Sequence, residues 1–355
     1  MIMTVSGKPY IPIVHGATAE RPDEADTLES ATAISETLRA LGYDSDLVHV
    51  GLDLTPIARM AQRNPLVVFN LVEAINTDLR LQPFVPAVLE RMSIAYTGSR
   101  FDALVSAMSK VRCKHLLKAA AVATPAWIDG IHNPLPADTL VLVKSDSEHA
   151  SVGIDSSSVV PAGLAQATIR ERERKFGGRF FAEVFIEGRE FNVAMLEGPG
   201  GVEALPIPEI KFVDYPEGKP QIVDYDAKWA AESFAYNNTP RDFGIEKADP
   251  KLARKLKRMA LECWRAFGLS GYARVDFRVD TFGKPWVIDV NTNPCITPDA
   301  GFSVTASMAG LSYPDIIERI VAAALPKSNA EIRHDDKAGE RATGAEAASV
   351  LVDAW

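Results

Sequence analysis

Residues 272–280 read YARVDFRVD and residues 285–291 read PWVIDVN. In the first segment Ala273, Val275, Phe277 and Val279 alternate with Arg274, Asp276 and Arg278, the period of a strand with one apolar and one charged face. In the second, the same alternation puts Trp286, Ile288 and Val290 on the apolar side and Val287, Asp289 and Asn291 on the other. The intervening DTFGK predicts a hairpin. A four-residue loop at 281–284 pairs Asp280 with Pro285, Asp276 with Asp289 and Arg274 with Asn291. Side chains opposite one another on one face have Cβ atoms about 4.5–5.5 Å apart, so two carboxylates are brought together. Two explanations fit. Either a cation sits between them, since two carboxylates and an amide are the hard oxygen donors that suit Mg2+, or Arg274 and Arg278 neutralise a solvated acidic face.

Around this hairpin the chain has a globular composition. Its 355 residues, 47% hydrophobic and 24% charged, suffice for two or three domains. A formal net charge of −9 argues against nucleic acid as a partner, because phosphate backbones need a basic footprint. The run 170–175 alternates base and acid and reads as a solvated helix face. No apolar run is long enough to span a membrane, and the N-terminal segment lacks the features of a secretory signal, so a cytoplasmic location is expected. Cys113, Cys263 and Cys295 are scattered without a CxxC pair, which fits a reducing compartment and excludes a zinc ribbon or disulfide framework. Neither GxxxxGK[ST] nor GxGxxG occurs, against P-loop and dinucleotide-binding folds.

Toward the N-terminus, YIPIV (10–14) predicts a strand that runs into the turn HGATAER. Leu28, Ala31, Ile34, Leu38 and Leu41 follow at helical spacing, with Gly42 as the stop. LVVFNLV (66–72) predicts a second buried strand, and this order implies a βαβ unit with a parallel sheet. A short strand is expected at 94–96 and a helix over 103–120. That helix carries Lys110 and Lys114, and Lys114 by itself reads as surface solvation. Residues 140–144, LVLVK, predict a strand followed by a polar loop of small residues, and FFAEVFIEGREFNVAML predicts two strands joined at Glu187-Gly188. A helix with Leu252, Leu256, Met259, Cys263 and Phe267 on one face precedes the hairpin. There is no internal repeat. Residues 327–355, polar and alanine-rich, are expected to form a mobile tail.

The chain resembles the ATP-grasp superfamily, and within it the D-alanine–D-alanine ligase-like carboxylate–amine ligases. The resemblance runs from about residue 10 to residue 325 and is most specific at the hairpin. There, Arg274-Val275-Asp276 and Asp289-Val290-Asn291-Thr292-Asn293-Pro294 match the family's arginine–x–aspartate strand and its acid–x–asparagine–threonine–x–proline strand end. It implies an α/β fold class, an ATP-grasp fold of α+β lobes behind an N-terminal parallel-sheet domain. The expected bounds are 1–105 for that domain, 106–182 for the central lobe and 183–326 for the C-terminal lobe with the metal site. ATP and Mg2+, with Mn2+ as a substitute, are the implied cofactors, and Asp276, Asp289 and Asn291 the implied metal ligands. Lys110, Lys144 and Lys228 are matched to phosphate contacts, and Ser151, Val152 and Gly153 to the loop covering the phosphates. Glu183, Val184 and Ile186 fall on the adenine-binding strand, with Glu183 beside the adenine amino group, and Glu190 falls on the ribose hydroxyls. Arg274 and Lys228 are the implied catalytic residues, together with Glu20 at the first substrate's amino group, a place that Asp23, Glu24 or Asp26 could also fill.

The implied activity is ATP-dependent amide bond formation between small amino-acid-like substrates through an acyl phosphate, with release of ADP and phosphate. Relatives that form dimers make a homodimer an expectation. The D-alanine–D-alanine ligase of cell-wall synthesis is one alternative, but the sequence departs from that pattern. Ser145 follows Lys144 where the family has proline, His149-Ala150-Ser151 replaces a glycine–serine–serine run, and Asp299-Ala300-Gly301 replaces histidine–serine–leucine. The family's histidine–glycine-rich acidic loop of the N-terminal domain is missing, and NLVEAINTD stands in its place. A nucleotide-binding protein without turnover is the other alternative, against which the retained Asp276, Asp289 and Asn291 speak. His15 reads as structural, and Cys295 as filling space near the acceptor.

Overall fold

The computed structural model describes residues 7–16, 22–128, 135–148 and 151–325; Glu20, His149, Ala150 and the expected tail at 327–355 lie outside them. Among the described residues no helix is long and apolar enough to cross a membrane.

The apolar run at 10–15 is buried because it carries a central strand. β1 (Ile13–His15) lies between parallel neighbours β2 (Leu47–His49) and β3 (Phe69–Asn70). α1 (Pro22–Ala40) makes the crossover from β1 to β2, buries Ala31, Ile34 and Leu38, and is followed by Gly42 at a φ of +96°. The expected βαβ unit therefore closes on β2, and the 66–72 run joins the opposite edge of β1. β2 is largely exposed, so no apolar run marks it. α2 (Thr55–Ala61) and α3 (Phe84–Arg91) add Ile57, Met60, Val85 and Leu89 to this core. The strand expected at 94–96 is reduced to one bridge between Tyr96 and Val68.

In place of a single helix over 103–120 there are two, α4 (Phe101–Ala107) and α5 (Lys110–Ala119). The break has a local cause. Ser109 is extended and caps α5 by accepting from Arg112 N at 3.2 Å. Asp146 completes the cap, taking Ser109 Oγ and Val111 N on its side chain at 2.9 Å and Lys110 N on its carbonyl at 2.8 Å.

β4 (Trp127–Ile128), β5 (Leu140–Ser145), β6 (Val159–Pro161) and, after α6 (Ala165–Phe176), β7 (Phe180–Val184) form an antiparallel sheet in the order β4-β7-β5-β6. α6 covers the face bearing Val141, Val143, Phe180 and Ala182. The register pairs Leu142 with Glu183 and Lys144 with Phe181, so Lys144 and Glu183 share the other face.

The largest sheet follows in β8 (Gly188–Gly198), β9 (Gly201–Ala204) and β10 (Glu209–Ile210). After α7 (Tyr225–Trp229) and α8 (Phe234–Asn237), β11 (Arg241–Asp242) forms its edge. α9 (Ile245–Ala248) and α10 (Pro250–Phe267) lead into β12 (Tyr272–Asp280) and β13 (Pro285–Asn291), and α11 (Gly301–Met308) and α12 (Tyr313–Ala324) complete the described fold. α5 and α10 bury one face of this sheet with Leu117, Leu256, Met259, Cys263 and Phe267 against Val193, Met195, Val275 and Phe277. The opposite face is therefore free to carry polar side chains.

The hairpin reaches the expected polar pairing by a different route. The loop is one residue longer, because Val279 rather than Asp280 pairs with Pro285, and a β-bulge at Ile288 takes up the difference. Beyond the bulge Asp276 faces Asp289 and Arg274 faces Asn291, as expected. Before it, the facing is reversed. Val287 is buried in the helix-packed core with Val290, while Ile288 lines a cavity on the other face and the Trp286 indole donates to Asp280. Simple alternation fails at Trp286, Val287 and Ile288 because the bulge inserts one residue into the period.

Candidate active site

A cavity of about 750 Å³ opens on the polar face of the large sheet. Alternation along three adjacent strands fills its floor: Glu190 and Asn192 from β8, Arg274, Asp276 and Arg278 from β12, and Asp289 and Asn291 from β13. Lys144 and Glu183 enter from the smaller sheet, Lys110 from the start of α5, and Lys228 from α7. Ser151, Val152, Val184 and Ile186 also line it, so the structure brings together every described candidate except Gly153. Gly153 turns the chain behind the cavity at a φ of +73°, against Phe176 and Phe180. Ser151 Oγ donates to Val223 O at 2.9 Å, and Tyr225 N to Ile154 O at 3.2 Å, which tie the small-residue loop to the segment carrying Lys228.

Asp276 is the hub of the floor. Its Oδ1 accepts from Asn192 Nδ2 and Arg274 Nε, both at 2.8 Å, and its Oδ2 from Arg274 Nη2 at 2.9 Å and Asn291 Nδ2 at 3.0 Å. Burial lowers the pKa of the Arg274 guanidinium, but Asp276 and then Asp289 outweigh it, and the pKa is raised. Arg278 does not reach the hairpin acids. It is 4% exposed and pairs with Glu190 at 3.1 Å. The floor is thus an enclosed charge network, and the picture of a solvated acidic face neutralised by both arginines does not hold. Among the described residues no three His, Cys, Asp or Glu side chains gather to hold a metal ion. The hard donor set available is two carboxylates, Asp276 and Asp289, with the Asn291 amide beside them.

At the cavity's edge Glu183 is clamped between two lysines, with Lys114 Nζ and Lys144 Nζ each 2.6 Å from one of its oxygens. Burial opposes ionisation of Glu183, yet Lys114 and Lys144 hold its pKa below the usual carboxylate value. One negative charge between two positive ones leaves this buried cluster net positive. Lys110 Nζ donates to Glu148 O at 2.7 Å beside it. Lys228 is exposed and lines the cavity; the protein around it and then Arg274 push its pKa down.

Lys114 is not the surface residue expected from its composition, and its place on the helix already marks it as buried. It is 2% exposed, and Lys110, Cys113, Lys114 and Leu117 form one buried stripe at helical spacing. Asn192 was also missed, although it alternates with Phe191 and Val193 and so shares a face with Glu190. Arg241, from β11, is a third addition. Its guanidinium lies against Gly301, where a Cβ would sit 3.4 Å from Nε. His15 is buried at the end of β1, its ring edge-on to His49 at 5.5 Å. Cys295 lines the cavity with its thiol pushed up to about 12 by burial and then by Asp26, so it stays protonated.

Comparison with known proteins agrees with this arrangement. The family described as D-ala D-ala ligase C-terminus matches residues 134–322. A D-alanine–D-alanine ligase of Methylococcus capsulatus is 30% identical over 87% of this chain and 93% of its own length. An uncharacterized protein of Sinorhizobium fredii is 31% identical over 82% of this chain and 86% of its own. In three dimensions the chain superimposes on a D-alanine–D-alanine ligase from Bacillus anthracis, complexed with ATP, with a TM-score of 0.69 at 19% identity, covering 93% of this chain and 100% of that one. The fold is therefore the mixed α/β ATP-grasp arrangement expected from the sequence, and the chain belongs to the D-alanine–D-alanine ligase-like family of carboxylate–amine ligases.

Proposed function

We propose that this protein uses ATP to join the carboxylate of one small amino-acid-like substrate to the amine of another. The observation that carries this is the meeting of opposite charge in one cavity. A pair of lysines, Lys110 and Lys144, the second braced by Glu183, faces an oxygen-rich floor of Asp276, Asp289 and Asn291. Polyphosphate suits the first and a hard divalent cation the second. We place ATP between them, with Ile186, Val184 and Glu190 along the nucleoside and Lys144 and Lys228 along the phosphates. Glu183 serves in this arrangement by fixing two lysines, since both its oxygens are engaged.

The donor set fits Mg2+ or Mn2+, because it contains only carboxylate and amide oxygens. Asp276, Asp289 and Asn291 would hold the ion, which when bound draws charge from the phosphoryl oxygens. The substrate carboxylate attacks the γ-phosphorus, the bond to the bridging oxygen breaks, and ADP leaves an acyl phosphate. The amine then adds to the acyl carbon and loses a proton, and the tetrahedral intermediate expels phosphate to give the amide. Arg274 is held in place by two bonds to Asp276 and serves to stabilise negative charge at the acyl centre. Lys228, in its charged form, balances the leaving phosphates. The lobes that act here are the expected 106–182 and 183–326 segments, and Glu20 remains our candidate for the first substrate's amino group.

D-Alanine–D-alanine ligation itself is the second possibility, favoured by relatives of that name at 29–30% identity. Against it, Asp299, Ala300 and Gly301 line the cavity where the family's pattern supplies histidine, serine and leucine. The test is phosphate release from Mg-ATP across single and paired amino acids, D-alanine included, with Asp289→Ala as control. Release that requires two substrates and is lost in the control is the expected result. Release with D-alanine alone selects the second possibility, and none under any pairing, with ATP bound, removes the ligase assignment.

A further inference from the structure

The bulge at Ile288 decides where Asp289 points. If the pairing of Phe277 with Val287 and Arg278 with Trp286 continued without it, Asp289 would stand opposite Val275, on the face packed by α5 and α10. The extra residue turns Asp289 back to the cavity and opposite Asp276. A bulge leaves backbone groups without partners in the ladder, and β13 is an edge strand, so the partners must come from elsewhere.

They come from a compact polar set outside the sheet. Val287 N donates to Ala123 O at 2.8 Å, and Thr124 Oγ1 donates to Val287 O at 2.9 Å. Lys144 Nζ donates to Ile288 O at 3.0 Å. Behind these, Lys114 Nζ donates to Thr124 Oγ1 at 2.9 Å and to Pro125 O at 2.8 Å, and it reaches Glu183, whose other oxygen holds Lys144. Thr124 thus accepts a hydrogen bond from Lys114 and donates one to the bulge, which fixes the direction of its hydroxyl.

We propose that Thr124 and Lys114 are positioning residues for Asp289: with Glu183 and Lys144 they hold the bulge carbonyls of Val287 and Ile288, and through them the register that presents Asp289 to a divalent cation. This rests on the assignment of Asp289 as a cation ligand. Neither residue faces the cation in this scheme; both act through the backbone one and two residues before the ligand. The arrangement also accounts for a buried lysine that no substrate contact would require.

The test is Mn2+ affinity in the presence of ADP, read by electron paramagnetic resonance, alongside ADP affinity without metal. Thr124→Val keeps the shape of the side chain and deletes the hydroxyl. Loss of a group supporting a metal ligand typically lowers metal affinity about 10–100-fold, and a loss of about ten-fold is expected here with metal-free ADP affinity nearly unchanged. Lys114→Met should lose at least as much, and Lys114→Arg should recover part of it. A general loosening of the fold would lower both affinities together, which overturns the positioning role. So does wild-type Mn2+ affinity in a folded Thr124→Val protein. Failure of the wild type itself to bind Mn2+ with ADP would instead overturn the cation-ligand assignment.

Discussion

The guanidinium of Arg278 meets the carboxylate of Glu190 at 3.1 Å within the wall of the cavity. The same group donates to Ile186 O and Gly188 O at 3.0 Å and to Gln221 O at 2.9 Å, with the rings of Phe185 and Phe212 beside it. One side chain thereby joins the connection between β7 and β8 to the segment before α7. Burial raises the pKa of Glu190, and Arg278 is the main influence opposing it. Removing one partner of a buried pair costs about 3–5 kcal/mol, because the other charge is left behind. Arg278→Met should therefore melt several degrees lower and bind ADP at least about ten-fold more weakly, the effect of a lost buried hydrogen bond to a charged group. Calorimetric titration checks this, and unchanged affinity would remove Arg278 from the nucleotide wall.

Two glycines near this wall should respond very differently to one methyl group. At Gly188, φ is +140° and a Cβ would lie 2.1 Å from Val279 O, a backbone atom paired in the sheet. At Gly153, φ is +73° and the Cβ would meet Phe180 at 3.0 Å and Phe176 at 3.2 Å, both side chains able to shift. Gly188→Ala should cost at least about 3 kcal/mol in unfolding free energy, and Gly153→Ala about 1–2 kcal/mol from its left-handed backbone. Denaturant melts of the two variants give the comparison, and equal losses would mean the β7–β8 connection yields more easily than its bonds imply.

The places where the sequence spoke plainly are those where one periodicity rules. β12 and α10 were legible because their buried faces, Ala273 to Val279 and Leu252 to Phe267, are regular. The floor of the site followed from the same alternation, which is why Arg274, Asp276, Asp289 and Asn291 were found together. β13 was misread between Trp286 and Ile288 because a bulge leaves no trace in polarity; the longer loop and the bulge cancelled, so the acids still met. β2 stayed hidden because a short edge strand buries too little to need apolar residues. Lys114 and Glu183 show a different difficulty. Each has the composition of a surface residue, and only the fold shows that they neutralise one another inside. Arg241 comes from a two-residue strand within a Pro-rich polar stretch, where local pattern says least.

Lys228 sets an expectation for pH. The surrounding protein and the neighbouring Arg274 push its pKa below the ordinary lysine value, with Asp276 and Asp289 acting the other way. The charged form is the one that balances phosphate. A lowered pKa means that this form is lost as pH rises through the lowered value, earlier than for an ordinary lysine. Turnover should fall on the alkaline side, and Lys228→Arg should move that fall upward because a guanidinium stays charged there. Rate–pH profiles of both proteins decide it; coincident alkaline limbs would exclude Lys228 as their cause.

Arg274 and Asp289 should separate chemistry from binding. Asp276 keeps its bonds from Asn192 and Asn291 when Arg274 is removed, so Arg274→Met leaves the cation donors in place. Loss of one preorganised donor to a developing oxyanion typically lowers kcat by about 10²–10³. Ligation in Arg274→Met should fall by that order, with Mg-ATP affinity within a few-fold of wild type. Asp289→Asn should do the reverse at limiting metal, weakening Mg-ATP and leaving more of the rate to be regained as Mg2+ is raised. Titrating metal against rate in both variants separates the two roles. If Arg274→Met lost ATP affinity and rate in the same proportion, the guanidinium would serve only to anchor Asp276, and the group facing the acyl centre would have to be sought in Arg241 or Lys228.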